Sequence, residues 1–281
     1  MRTRAKMAAV SAVTGALALT ALAVPAAQAA DSGTPYTLDV SFSNFKIASA
    51  IKVGTTNVVS ARVTYTLTHG KDVDITADDF FTDAFIYRGS FDDPANESYD
   101  DEDSTCTVTS STTANCTGSV DIHPADDGAL ANADAGTWHG AAEAIAFNGQ
   151  DPSSSSIDYS KVGYKDQGPL ATTLVQRNSA LTVNAGPEPV TKGKTITSTG
   201  KLSRANWEDH KYHGYTGQPV KLQFRKAGTS TYTTVKTVTS DSYGNVKATA
   251  TASSDGYWRF SFAGTSTTPA VNAAGDYVDV R

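Results

Sequence analysis

Apolar and polar side chains take turns along this chain, and hardly anywhere do they recur at the spacing of a helix. Leu38, Val40 and Phe42 alternate with Asp39, Ser41 and Ser43; Val63, Tyr65 and Leu67 alternate with Arg62, Thr64 and Thr66. A strand sends successive side chains to opposite faces, so each run reads as a strand with one dry face and one wet face. The second half is more regular still. Val220, Leu222 and Phe224 alternate with Lys221, Gln223 and Arg225; Gly228-Thr229-Ser230 turns the chain into a strand over 232–238, and Ser242-Tyr243-Gly244-Asn245 turns it into another over 246–252. Asp255-Gly256 turns once more before Trp258, Phe260 and Phe262, and Val278 and Val280 close the series. Strands this short, broken by turn signals about every ten residues, predict packed antiparallel sheets.

At the amino terminus Arg2, Arg4 and Lys6 precede a charge-free apolar run over 7–24, and Ala27-Gln28-Ala29 supplies a small-x-small cleavage pattern. Residues 1–29 therefore read as a secretory signal peptide cut after Ala29. A membrane anchor needs roughly 20 continuous apolar residues, whereas Ser11, Thr14, Gly15 and Thr20 interrupt this run and Pro25 ends it. No later stretch approaches that length, so the mature chain is expected outside the cytoplasm with no membrane span. Removing the three basic residues takes the net charge from -6 to -9.

That charge is divided by sign. Residues 31–175 carry 22 Asp+Glu against 7 Lys+Arg, a balance of -15; residues 176–281 carry 7 against 13, or +6. The asymmetry predicts an acidic domain over 31–175 and a basic one over 176–281, with the boundary in the segment 172–179. A weak internal repeat points to one architecture used twice. Asp134-Ala135-Gly136-Thr137-Trp138 and Asp255-Gly256-Tyr257-Trp258 each place an acid, a glycine and an aromatic at the start of a late strand.

Gly193-Lys194-Thr195-Ile196-Thr197, Gly200-Lys201-Leu202, Gly217-Gln218-Pro219-Val220-Lys221-Leu222-Gln223-Phe224 and Asp255-Gly256-Tyr257-Trp258-Arg259 resemble the immunoglobulin-like modules of secreted actinobacterial proteins. The resemblance covers 179–281 and implies a binding, spacing or envelope-associated role, with no catalytic residue to carry over. The acidic half resembles the uncharacterised secreted domains that accompany such modules. Alternation and resemblance together give the expected fold class: all-β, two tandem immunoglobulin-like antiparallel β-sandwiches.

Cys106 and Cys116 are the only cysteines. Export favours their pairing, and the β-prone, small polar stretch between them reads as a hairpin tip, so the disulfide is expected to staple neighbouring strands and not to bridge two sheets. So short a closed loop is worth about 2 to 3 kcal/mol.

Candidate sites lie in loops. Asp92, Asp93, Asp100, Asp101 and Asp103 crowd the segment 92–103, a carboxylate set of the kind Ca²⁺ takes, although the order of an EF-hand is missing and a solvated acidic loop is the competing reading. Asp72, Asp74, Asp78, Asp79 and Asp83 form a second acidic group, whose mutual repulsion a cation would relieve if the loops met. Trp207, His210, Tyr212, His213 and Tyr215 lie in one aromatic stretch that reads as a partner-binding loop, with an ordinary packed loop the competing reading and a zinc site the minor alternative. There is no Gly-x-Ser-x-Gly, P-loop or dinucleotide fingerprint, and a paired-carboxylate glycosidase rests on nothing beyond the abundance of Asp. Lys192, Lys194, Lys201, Arg204, Lys211, Lys221, Arg225 and Lys226 give the basic half its sign. For an exported chain of negative net charge, the partners to expect are anionic cell-wall polymers, glycans or another protein, including the acidic half of a neighbouring molecule, and not nucleic acid. The expected function is a secreted, non-enzymatic binding or cell-envelope interaction protein that requires no cofactor. The alternative is an extracellular calcium-binding protein that uses the acidic loops.

Overall fold

The computed structural model describes residues 33–125 and 130–281, so the expected leader over 1–29 lies outside the described residues. Ten strands precede Asn178: β1 (Tyr36–Thr37), β2 (Val40–Lys46), β3 (Ala50–Val53), β4 (Val59–His69), β5 (Phe80–Gly89), β6 (Pro94–Ser98), β7 (Thr105–Ser110), β8 (Thr113–Ile122), β9 (Gly136–Ala146) and β10 (Gly163–Arg177). Ten follow: β11 (Ser179–Leu181), β12 (Asn184–Gly186), β13 (Thr195–Asn206), β14 (Lys211–Gly214), β15 (Pro219–Lys226), β16 (Thr233–Thr239), β17 (Asn245–Thr251), β18 (Gly256–Phe262), β19 (Val271–Asn272) and β20 (Asp276–Val278).

The first ten form two sheets, ordered β2-β4-β8-β7 and β1-β10-β9-β5-β6, with β3 added in parallel to β10. In immunoglobulin lettering the first is A-B-E-D, and the core of the second is G-F-C flanked by a C′ strand. In the second set, β13 pairs with β12 and β17 along its first half and with β11 and β14 along its second. Opposite lies β16-β15-β18, extended by β19 and β20. The chain is thus all-β, two immunoglobulin-like sandwiches in series, as the alternation predicts.

Alternation decides what is buried. Leu38, Val40, Phe42, Val63, Tyr65 and Leu67 fall in one core; Val220, Leu222, Trp258, Phe260 and Phe262 fall in the other. The repeated aromatic holds its place as well, because Trp138 and Trp258 are buried on β9 and β18, the F strands of their sandwiches. Trp138 Nε1 donates to the Asp134 carbonyl at 2.8 Å, an indole version of the aromatic corner that closes many such sandwiches. Cys106 and Cys116 stand directly opposite each other on β7 and β8 and are bonded, so the disulfide staples two adjacent strands of one sheet.

Where the sandwiches meet, a single residue separates β10 from β11. Asn178 N donates to Val53 O of the first sandwich, and Asn178 O accepts from Ala205 N of the second, both at 2.8 Å. Around this junction, Arg177 Nε donates to Ala205 O at 2.7 Å, Gln176 Nε2 to Thr265 O at 2.8 Å and Ser179 Oγ to Pro269 O at 2.9 Å. Trp207, at the tip of the β13–β14 hairpin, is only 1% exposed and belongs to the hydrophobic cluster of the first sandwich. Its Nε1 donates to Gly54 O at 2.9 Å. Asn132 holds the same tip from the side, donating to Asn206 Oδ1 and accepting from Trp207 N. A residue of the second sandwich therefore completes the core of the first.

Tyr65 is almost fully buried and shares a hydrogen bond of 3.0 Å with Thr82. Burial is the main cause that pushes its phenol up to about 12. Burial acts in the same direction on Tyr99 and Tyr164, reinforced by the nearby Glu97 and Glu143 carboxylates.

Two outcomes follow. Trp207→Ala removes a plug shared by both bodies, at a cost of about 3 to 5 kcal/mol, and calorimetry should show one joint transition resolving into two. Because folding holds the Tyr65 phenol neutral, its contribution is intact below pH 10 and disappears as pH climbs toward 12. Melting temperatures taken between pH 9 and 12 should fall across that window, and Tyr65→Phe should recover about 2 kcal/mol of the loss.

Candidate functional site

Strands β15 and β18 are opposed in strict register, with Gln223 beside Arg259 and Arg225 beside Tyr257; β20 continues the second row by placing Tyr277 beside Tyr257. Since Leu222, Trp258 and Phe260 point into the core, the odd-numbered residues between them lie on the outer face. Tyr232, just before β16, reaches over this face, and its hydroxyl comes so near Gly275 that a Cβ there would collide with it.

The side chains stack. The Arg225 guanidinium carbon lies 4.0 Å from the Tyr257 ring centre and 5.3 Å from that of Tyr232. On Tyr232 the Arg259 guanidinium approaches to 3.8 Å. Tyr257 and Tyr277 meet edge to face at 5.1 Å. Arg259 Nε donates to Gln223 Oε1 at 2.9 Å, and Arg225 Nη1 donates to Thr229 O at 2.5 Å. Each guanidinium is thereby oriented through one nitrogen, while among the described residues neither joins an ion pair. Stacked arginines are held in place with donors still facing solvent, a geometry suited to oxyanions, which the planar fork binds in two places at once. Tyr277 is 40% exposed. Its phenol is raised, first by burial and then by the charges of Asp255 and Asp279, so the patch has a cationic end and an acid-flanked aromatic end.

The residues singled out in the sequence are distributed differently. Trp207 is a correction, since its indole is enclosed in the first sandwich and is not offered to a partner. Tyr215 also turns inward, lying under the Arg204 guanidinium at 3.9 Å and edge-on to Phe262. His210, Tyr212 and His213 stay at the surface. The stretch is a hairpin and not a loop: Lys211–Gly214 pairs with β13, and His210 turns the chain with a φ of 57°. His213 Nε2 lies 2.6 Å from Asp209 Oδ2, and Tyr212 Oη accepts from Asn178 Nδ2 at 3.1 Å.

Asp92 and Asp93 precede β6, whereas Asp100, Asp101 and Asp103 follow it. Asp100 accepts from Ser119 Oγ and from Asp101 N. Among the described residues no group of three or more His, Cys, Asp or Glu side chains converges as a metal site. The second acidic group also disperses. Asp74 caps a turn through Thr76, which holds its carboxyl low, Asp79 accepts from Gly149 N, and Asp83 is buried in β5.

Only Arg225 of the stacked patch stood among the basic residues named from sequence. Tyr232, Tyr257, Arg259 and Tyr277 were outward positions of recognised strands, but their adjacency depends on register between strands distant in sequence. The available signal was Tyr257 and Arg259 flanking Trp258, polar-capable side chains exactly out of phase with the core.

No family model matches the chain, and no curated protein matches it in sequence. Among solved structures it is similar to the Escherichia coli adhesin FdeC, at 12% identity and a TM-score of 0.31, over 89% of this chain and 66% of that one. It is similar to the D0-D1 domain of intimin at 14% identity and a TM-score of 0.25, over 85% and 98% of the two chains. The amphioxus IgVJ-C2 molecule matches at 10% identity and a TM-score of 0.26, over 82% and 99%. The chain spans just under two thirds of the FdeC chain it matches. Strand order and register define the fold of both sandwiches.

Because the stack is on the surface, replacing Arg225 or Arg259 with Gln should cost no more than about 1 kcal/mol. Thermal melts of the two variants should stay within a few degrees of the parent.

Proposed function

We propose that this protein is an extracellular, non-enzymatic binding protein, and that its basic sandwich engages an anionic partner through the outer face of the β16-β15-β18-β20 sheet. The observation that carries the reading is the pair of guanidiniums, Arg225 and Arg259, stacked on tyrosines without a carboxylate partner among the described residues. Arginine held by an aromatic ring loses less freedom on binding than a free side chain. Lys221, outward on the same strand, adds to the positive field. The acidic sandwich, at -15 over residues 31–175, repels the same partner and confines it to the basic end. In this reading the first sandwich and the buried hairpin tip hold the binding face in a fixed attitude, and the partner is a surface-displayed anionic polymer.

Retention on an anionic polymer matrix should be strong near 20 mM salt and lost near 1 M, where the Debye length has fallen to about 3 Å. The double variant Arg225→Gln/Arg259→Gln should elute at markedly lower salt while melting like the parent. Retention that ignores salt, or is unchanged in the double variant, rules the proposal out.

A further inference from the structure

The anion-binding reading leaves the chemistry of the partner open, and the layout of the face narrows it. The patch is a row running across strands: Arg225 on β15, Tyr257 on β18 and Tyr277 on β20 are consecutive neighbours in register. Strands β15 and β18 are paired on both sides, so over them the face offers a ligand side chains only. Peptides are commonly held by main-chain bonding along a strand edge or by an apolar groove, and a flat row crossing the sheet provides neither. It does provide two cationic forks stacked on Tyr232 and Tyr257, and beyond them, on β20, Tyr277 as the most open ring. The acids beside Tyr277 are engaged, Asp255 by Val280 N at 2.8 Å and Asp279 by Arg281 Nε at 2.8 Å, so among the described residues that end offers no unpaired cation and suits an uncharged ring.

Resting on the reading that this face binds an anionic partner, we propose that the partner is an acidic polysaccharide, a chain of carboxylate-bearing sugars whose carboxylates lie on Arg225 and Arg259 while a neighbouring sugar ring packs its C–H face on Tyr277. Alternation of a charged group with a flat, weakly polar ring is the pattern that the row presents. An inorganic polyanion satisfies only the arginine end, and a polyacidic peptide lacks the rigid ring for the tyrosine end.

The test compares binding of the purified protein to polygalacturonate, polyphosphate, poly-glutamate and neutral dextran at equal ionic strength, with Tyr277→Ala, Tyr277→Phe and Arg259→Gln beside the parent. Polygalacturonate should bind most tightly. Tyr277→Ala should weaken it by about 3- to 10-fold, the worth of one aromatic contact, while leaving polyphosphate binding within about twofold, as expected for a contact that carries no charge. Tyr277→Phe should keep the parent affinity for polygalacturonate, because it retains the ring, and Arg259→Gln should weaken every anionic ligand. If Tyr277→Ala weakens polygalacturonate and polyphosphate alike, or neither, the sugar assignment falls and the anion-binding reading stands. Tighter binding of poly-glutamate than of polygalacturonate replaces the sugar with an acidic peptide. If no polyanion binds, or Arg259→Gln changes nothing, the anion-binding reading fails and this inference fails with it.

Discussion

The ladder between β15 and β18 sets both what the second sandwich buries and what it displays, because residues opposed on paired strands share a face. Leu222 opposite Phe260 and Val220 opposite Phe262 build the interior; one step out of phase, Arg225 opposite Tyr257 and Gln223 opposite Arg259 build the exterior. A slip of one residue would carry every side chain of a strand to the wrong face. Burial of Trp258, Phe260 and Phe262 therefore positions the arginines as firmly as any contact on the surface does. The core is the template for the patch.

A second constraint joins the two bodies. With one residue between β10 and β11, the sandwiches have almost no linker, and the short connection is reinforced by bonds through side chains and backbone on several sides. Trp207 adds an apolar plug, satisfied at its nitrogen by Gly54 O. Arg177 is buried at the same place, and desolvation lowers its pKa to about 10, with Arg204 contributing in the same direction. The arginine stays cationic at neutral pH, and its Nε bond to Ala205 O ties that charge to the second sandwich.

Strand positions, the two-body architecture and the same-sheet disulfide were legible in the sequence because each depends on local pattern: alternation, turn residues and the separation of two cysteines. Trp207 was misplaced for an equally physical reason. An aromatic in a stretch containing Glu208, Asp209 and His210 looks exposed by composition, and only the packing of one sandwich against the other reveals the core that receives it. The acidic segments were legible as charge and not as geometry, since Asp74 and Asp79 are each committed to a separate turn or loop amide. The stacked arginines were hidden for the same reason that strand pairing is hidden. Arg225 and Tyr257 are 32 residues apart in the numbering and touch only because a ladder aligns them.

The nearly linkerless junction gives the opposed charges of the two halves a fixed separation, so the molecule behaves as a permanent electric dipole and not as two beads on a tether. Near a negatively charged layer such a body, negative in net charge, feels a torque that brings its basic end nearest the layer. Such a turn is set by the arrangement of charge and precedes any contact.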